Sequence, residues 1–106
     1  MLIAAALIEL HVADGGSLKA RRSVANAVKE RIHSRFDISV AEVGDPEDRH
    51  EVVLGCVLVG IDPTAMRQRM ERLIRFVEGT GIAELTADDI TVVRLDELAE
   101  LDEEAS

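Results

Sequence analysis

Tryptophan and tyrosine are absent from this 106-residue chain, and two phenylalanines, Phe36 and Phe76, are its only aromatics. Its core must therefore be aliphatic, built from Leu, Ile, Val and Ala. The shortage also excludes the RNA-recognition mode in which central strands stack bases on aromatic rings, because the apolar strand segments contain none. The single cysteine, Cys56, excludes an internal disulfide. It lies within the run VLGCVLVG, where a buried, inert thiol in a reducing cytoplasm is expected. No segment approaches the ~18 apolar residues that cross a bilayer, so no membrane role is expected. The apolar opening from Met1 to Ile8 has no positive charge before it and passes into Glu9 and His11 at alternating positions, which suits a strand better than a signal peptide. No linker or low-complexity stretch divides the chain, which reads as one domain over 1–95 followed by an acidic tail over 96–106.

What is present supports a folded, soluble domain. The hydrophobic fraction is 47%, too high for disorder, and the length suffices for one core. The net charge of −9 opposes nucleic acid and anionic membranes on average. That average conceals a segregation. Residues 17–35 carry Lys19, Arg21, Arg22, Lys29, Arg31 and Arg35 against Glu30 alone, whereas 84–104 carry nine acids against Arg94. Such asymmetry points to an electrostatic surface.

Hydrophobic periodicity predicts six elements. Residues 2–12 alternate as a strand, with Leu2, Ala4, Ala6, Ile8, Leu10 and Val12 on one parity. After the turn ADGG, Ser17 is suited to cap a helix running to about Arg35. Its apolar stripe holds Leu18, Val24, Ala25, Val28, Ile32 and Phe36. At 100° per residue Lys19, Arg22, Asn26, Lys29 and His33 share one narrow sector beside that stripe. Arg21 projects towards the apolar side, where snorkelling at the helix end is expected to carry its charge into water. Strands follow at 38–43 and 50–60, separated by the turn-forming GDPEDR. Asp62 caps a second helix with Pro63 at its first position. Met66, Met70, Leu73, Ile74 and Val77 form its stripe, Arg67, Arg69, Arg72 and Arg75 its flanks, and Gly79 and Gly81 its end. A last strand is expected at 90–95.

The order βαββαβ implies the ferredoxin-like α/β fold, an antiparallel sheet of order 4-1-3-2 with both helices on one face. Strands one and three are apolar on both parities, so the uncovered face would expose Ile3, Ala5 and Leu7 beside residues of 52–59. A contiguous patch of this kind marks an interface, and a homodimer through Ile3, Ala5 and Leu7 is expected.

Three segments resemble a known family. ELHVADGGSLKARRSV follows its pattern of a strand ending in ELH, a short turn and SLK with further basic residues. SRFDISVAEVGD is similar to its second strand, and VVLGCVLVGID to its third. The chain resembles the YlxP-like family of small bacterial proteins, a domain family of unknown function, over nearly its whole length to about Leu95. The resemblance implies a ferredoxin-like fold. Because such proteins are often encoded between a translation initiation factor and a ribosome-binding factor, it also implies a role near translation or ribosome maturation. Ser17, Leu18, Lys19 and Arg22 match family motif positions of unknown role.

Among chemistry-bearing residues, the basic helix face of Lys19, Arg21, Arg22, Lys29 and His33 is the nucleic-acid-binding candidate, suited to phosphates and shape. Glu9 and His11 share a strand face and His50 can approach from the next strand, but two ligand types without a clear third or fourth make no metal site. GDPEDR lacks the alternating ligands of a calcium loop, and GGS lacks Walker spacing. No nucleophile–base pair is assembled, so neither catalysis nor a cofactor is expected. The sequence leads to a cytoplasmic, non-enzymatic, homodimeric binding protein acting on ribosomal or other structured RNA. The alternative is a module that binds only protein.

Overall fold

The computed structural model describes residues 1–13 and 17–96. Its elements are β1 (Leu2–His11), α1 (Leu18–Arg35), β2 (Ser39–Glu42), β3 (Glu51–Gly60), α2 (Pro63–Thr80) and β4 (Glu84–Arg94). The sheet order is β2-β3-β1-β4 and every neighbouring pair is antiparallel, which is the ferredoxin-like arrangement. The turn at 14–16 and the tail from 97 onward lie outside the described residues. No helix among those described is long and apolar enough to cross a membrane.

Strand alternation decides which residues meet the helices. Ala4, Ala6, Ile8 and Leu10 of β1 pair with Leu58, Cys56, Leu54 and Val52 of β3, and all eight are buried. Ala25, Val28 and Ile32 of α1 and the predicted stripe of α2, Met66, Met70, Leu73, Ile74 and Val77, complete this core. Each large aliphatic buried here contributes roughly 1.5–3 kcal/mol of transfer free energy.

The helix ends follow local chemistry. Ser17 Oγ accepts from Ala20 N at 3.1 Å, and Asp62 Oδ1 accepts from Thr64 N and Ala65 N at 3.0 and 3.2 Å, with Pro63 in the first turn. Gly81 ends α2 with φ 67, a left-handed conformation that suits glycine, while Gly79 lies inside the last turn instead of terminating it.

Two differences from the expected elements have physical causes. β4 begins at Glu84, well before residue 90. Its early part, ELTADD, is polar on both parities because this edge strand is partly wet on both sides, so the alternation that marks a strand is missing. A register shift opposite Glu9 and Leu10 leaves Thr86 unpaired, its Oγ1 donating to Glu9 O at 3.2 Å. This bulge resets the parity and returns Leu85 to a position opposite core Leu10. The second difference concerns Arg21. It does not snorkel: it is 1% exposed, the one buried charged residue among those described.

Candidate functional site

Arg21 faces the sheet because it lies one turn before Ala25 and two before Val28 on the inner side of α1. Its guanidinium donates to the Glu42 carboxylate and the Asp48 carbonyl, and at 3.1 Å to the carbonyls of Asp45 and Glu51. The 43–50 loop is thus wound round a cation supplied by α1. The loop closes further on Asp48, whose Oδ1 accepts from His50 N at 2.9 Å and Glu51 N at 3.1 Å. These backbone donors hold the Asp48 carboxyl below the usual carboxylate range. Arg21 therefore leaves the nucleic-acid-binding set, since a buried, paired guanidinium presents nothing to a phosphate.

The other members are on the outside. Lys19, Arg22 and His33 are exposed together with Asn26, and Lys29 is half-buried. The structure adds the second helix to them. Arg67, Arg72 and Arg75 are exposed on α2, and Arg69 donates to Asp37 O at 3.1 Å. Together the helices hold ten of the twelve Lys and Arg residues but only Glu30, Glu71 and Glu78 of the twenty-one acids. The charge is consequently divided by layer: the helices are basic, and the strands, loops and tail are acidic.

Between the helices the fold brings together residues forty positions apart in the chain. Phe36 and Phe76 meet edge to face at 5.5 Å with an interplanar angle of 68°, and the Arg35 guanidinium lies 5.2 Å from the Phe76 ring centre. Arg72 and Arg75 line the same cavity. One signal was available: both phenylalanines directly follow an arginine, as Arg35-Phe36 and Arg75-Phe76.

The uncovered sheet face is apolar at one end and charged at the other. Ile3 lies opposite Val59 and Val93, Ala5 opposite Val57 and Thr91, and Leu7 opposite Gly55 and Asp89. Val59 is 63% exposed, Val43 58%, Val57 43% and Leu7 40%. Ala5 and Gly55 leave a shallow depression of about 220 Å³ rimmed by Leu7, Val43 and Val57. At the other end His11 Nδ1 lies 2.9 Å from Glu51 Oε1, and the His11 and His50 rings stack at 6.3 Å. His50 thus does come alongside His11 from the position just before the neighbouring strand β3, and the carboxylate bonded to His11 is that of Glu51, not Glu9. Among the described residues no group of three or more His, Cys, Asp or Glu is placed to hold a metal ion.

The profile of a family described as "Protein of unknown function (DUF503)" matches residues 3–90, which takes in β1 through most of β4. The chain belongs to the DUF503 family. Within that setting it is 25% identical over 77 residues to the uncharacterized protein YlxP of Bacillus subtilis, covering 73% of this chain and 84% of that one. A protein of Chloroflexus aurantiacus described as an antibiotic biosynthesis monooxygenase superposes with a TM-score of 0.53 at 14% identity, covering 87% of this chain and 93% of that one. A VAO-type flavoprotein of Myceliophthora thermophila reaches the same TM-score at 11% identity, but the match spans only 16% of that longer chain. At these identities the likeness to solved structures is one of fold, and this DUF503 chain takes no activity from them.

Proposed function

We propose that this chain is a non-enzymatic binding protein that holds structured RNA by its phosphates, using the outer surface of both helices. The observation that carries this reading is the division of charge by layer. Lys19, Arg22, Lys29 and His33 on α1 and Arg67, Arg72 and Arg75 on α2 concentrate cations on one side of a protein whose net charge is −9. Long-range repulsion from the acidic remainder is screened beyond about 8 Å at physiological salt, so a local basic layer can engage phosphates despite the total. A filter-binding titration against ribosomal RNA fragments tests it. Lys19→Ala, Arg22→Ala and Lys29→Ala together should weaken binding and lower the salt slope by about one unit or less per residue. Equal binding by wild type and triple mutant would end the proposal.

A second reading, homodimerisation through the bare sheet face, is favoured by the exposed apolar set of Leu7, Val43, Val57 and Val59. Three strands of ten or eleven residues and the four-residue β2, about 4.8 Å apart and rising about 3.3 Å per residue, offer roughly 550 Å². Two such faces would bury roughly 1,100 Å², which clears the ~1,000 Å² that a specific interface needs. Sheet-to-sheet pairing turns both helix layers outward, so the two readings are compatible. Without RNA binding, the same dimer would serve as a protein-interaction module. That alternative predicts that the purified protein retains protein partners after nuclease treatment and shows no salt-dependent RNA binding.

A further inference from the structure

We infer that the cavity between the end of α1 and the middle of α2, lined by Arg35, Phe36, Arg72, Arg75 and Phe76, accepts an unpaired nucleotide of a single-stranded RNA segment. The inference rests on the RNA reading above and adds to it a specific place and a mode of recognition. The cavity measures about 430 Å³, within the roughly 300–1,000 Å³ of small-molecule clefts. Both of the chain's aromatic residues belong to it, at the margin where they also pack against the aliphatic core. Each is only partly buried, so each keeps ring surface available. Their edge-to-face geometry turns one ring's face towards the other's edge, and the Arg35 guanidinium covers Phe76 at 5.2 Å. A planar guanidinium on a phenyl ring is a platform on which a base can stack in turn.

The electrostatics select the same ligand. Arg35, Arg72 and Arg75 are exposed, and among the described residues none of them is within ion-pair distance of a carboxylate. Three guanidiniums outside any ion pair among the described residues, around two aromatic rings, fit an anion that also carries a flat π surface. A nucleotide has both parts: the phosphate for the fork of an arginine and the base for the platform. An acidic peptide has the charge without the ring. A paired duplex keeps its bases stacked internally, so only the phosphates would engage. The base contact is therefore to unpaired RNA and tolerant of sequence, since every base has a π face.

The test uses the full chain, a fluorescent uridine decanucleotide, an RNA duplex of equal length and a peptide of sequence DELAELDEEAS. Phe36→Leu and Phe76→Leu should each weaken decanucleotide binding by about fivefold or more with the salt slope unchanged. Arg72→Gln should weaken binding and lower the slope by about 0.7, the single-strand value for one phosphate. Duplex binding should be indifferent to both leucine variants. Short-wavelength ultraviolet irradiation of the wild-type complex should join uridine to a peptide containing Phe36 or Phe76, a readout that needs no variant to fold. Far-UV circular dichroism confirms that the leucine variants are folded at the assay temperature. If both leucine variants bind the decanucleotide as wild type does while Lys19, Arg22 and Lys29 still set the slope, the cavity inference fails and the helix-layer reading stands. If no RNA binds, both fail. If the peptide binds more tightly than the decanucleotide and only its binding needs the rings, the site is one for acidic peptide and the inference is overturned.

Discussion

Replacing Arg21 with alanine should cost this domain about 3–5 kcal/mol, the range observed when one partner of a buried ion pair is removed. The magnitude follows from what the side chain holds. Arg21 is 1% exposed and its guanidinium bonds the Glu42 carboxylate and the carbonyls of Asp45, Asp48 and Glu51. Bonds from a charged donor are worth about 1.5–3 kcal/mol each, and alanine leaves the Glu42 carboxylate, only 20% exposed, without its cation. At 4–8 °C per kcal/mol for a domain of about this size, the melting midpoint should fall by at least about 12 °C. Arg21→Lys keeps the charge but cannot fork to four acceptors, so it should recover less than half of the loss. Replacing Glu42 as well, in Arg21→Met with Glu42→Leu, should not restore stability, because the remaining acceptors are backbone carbonyls that no side-chain substitution removes. Urea denaturation followed by far-UV circular dichroism measures these changes without an aromatic reporter. Lys19→Ala, on the exposed side of the same helix, is the control and should stay within about 0.5 kcal/mol. A loss under about 1 kcal/mol for Arg21→Ala would refute the account of the loop as wound round this cation.

The bare sheet face yields a second prediction: Leu7→Glu puts two carboxylates into a paired apolar interface and should convert a dimer into a monomer by light scattering; a wild type monomeric at high micromolar concentration would count against pairing. Burial raises the Cys56 thiol from 9.0 to about 11, so at pH 8 it should resist alkylation until the protein unfolds. Because that value is raised in the folded state, stability should decline as pH climbs from about 9 towards 11, and Cys56→Ala should remove this part of the decline. Asp48 is shifted the other way, so its contribution is present above the ordinary carboxylate range and lost as pH falls through the depressed value; Asp48→Asn should flatten the acid limb of an unfolding titration. Deleting residues 96–106 removes six acids and should tighten RNA binding at low salt, an advantage that fades as ionic strength rises.

The order of the elements and the α2 stripe determined the layers, because a helix's side-chain period maps directly onto its buried face, whereas β1 and β3 are apolar on both parities. Ser17, Asp62 with Pro63, and Gly81 likewise marked helix ends by local backbone chemistry that needs no distant partner. β4 was legible only from residue 90, since an edge strand wet on both sides has no reason to alternate. The fate of Arg21 shows where local reading stops. Helical angle placed it on the inner side, but whether a long cation escapes to water or stays buried depends on acceptors 21 to 30 residues away in the chain. The same holds for the two Arg-Phe dipeptides, forty residues apart, which become one cavity only when α1 and α2 pack on the same sheet face. Composition and periodicity, properties of near neighbours, were thus readable from the chain alone, whereas the meeting of charges and rings from distant segments was decided by the tertiary fold.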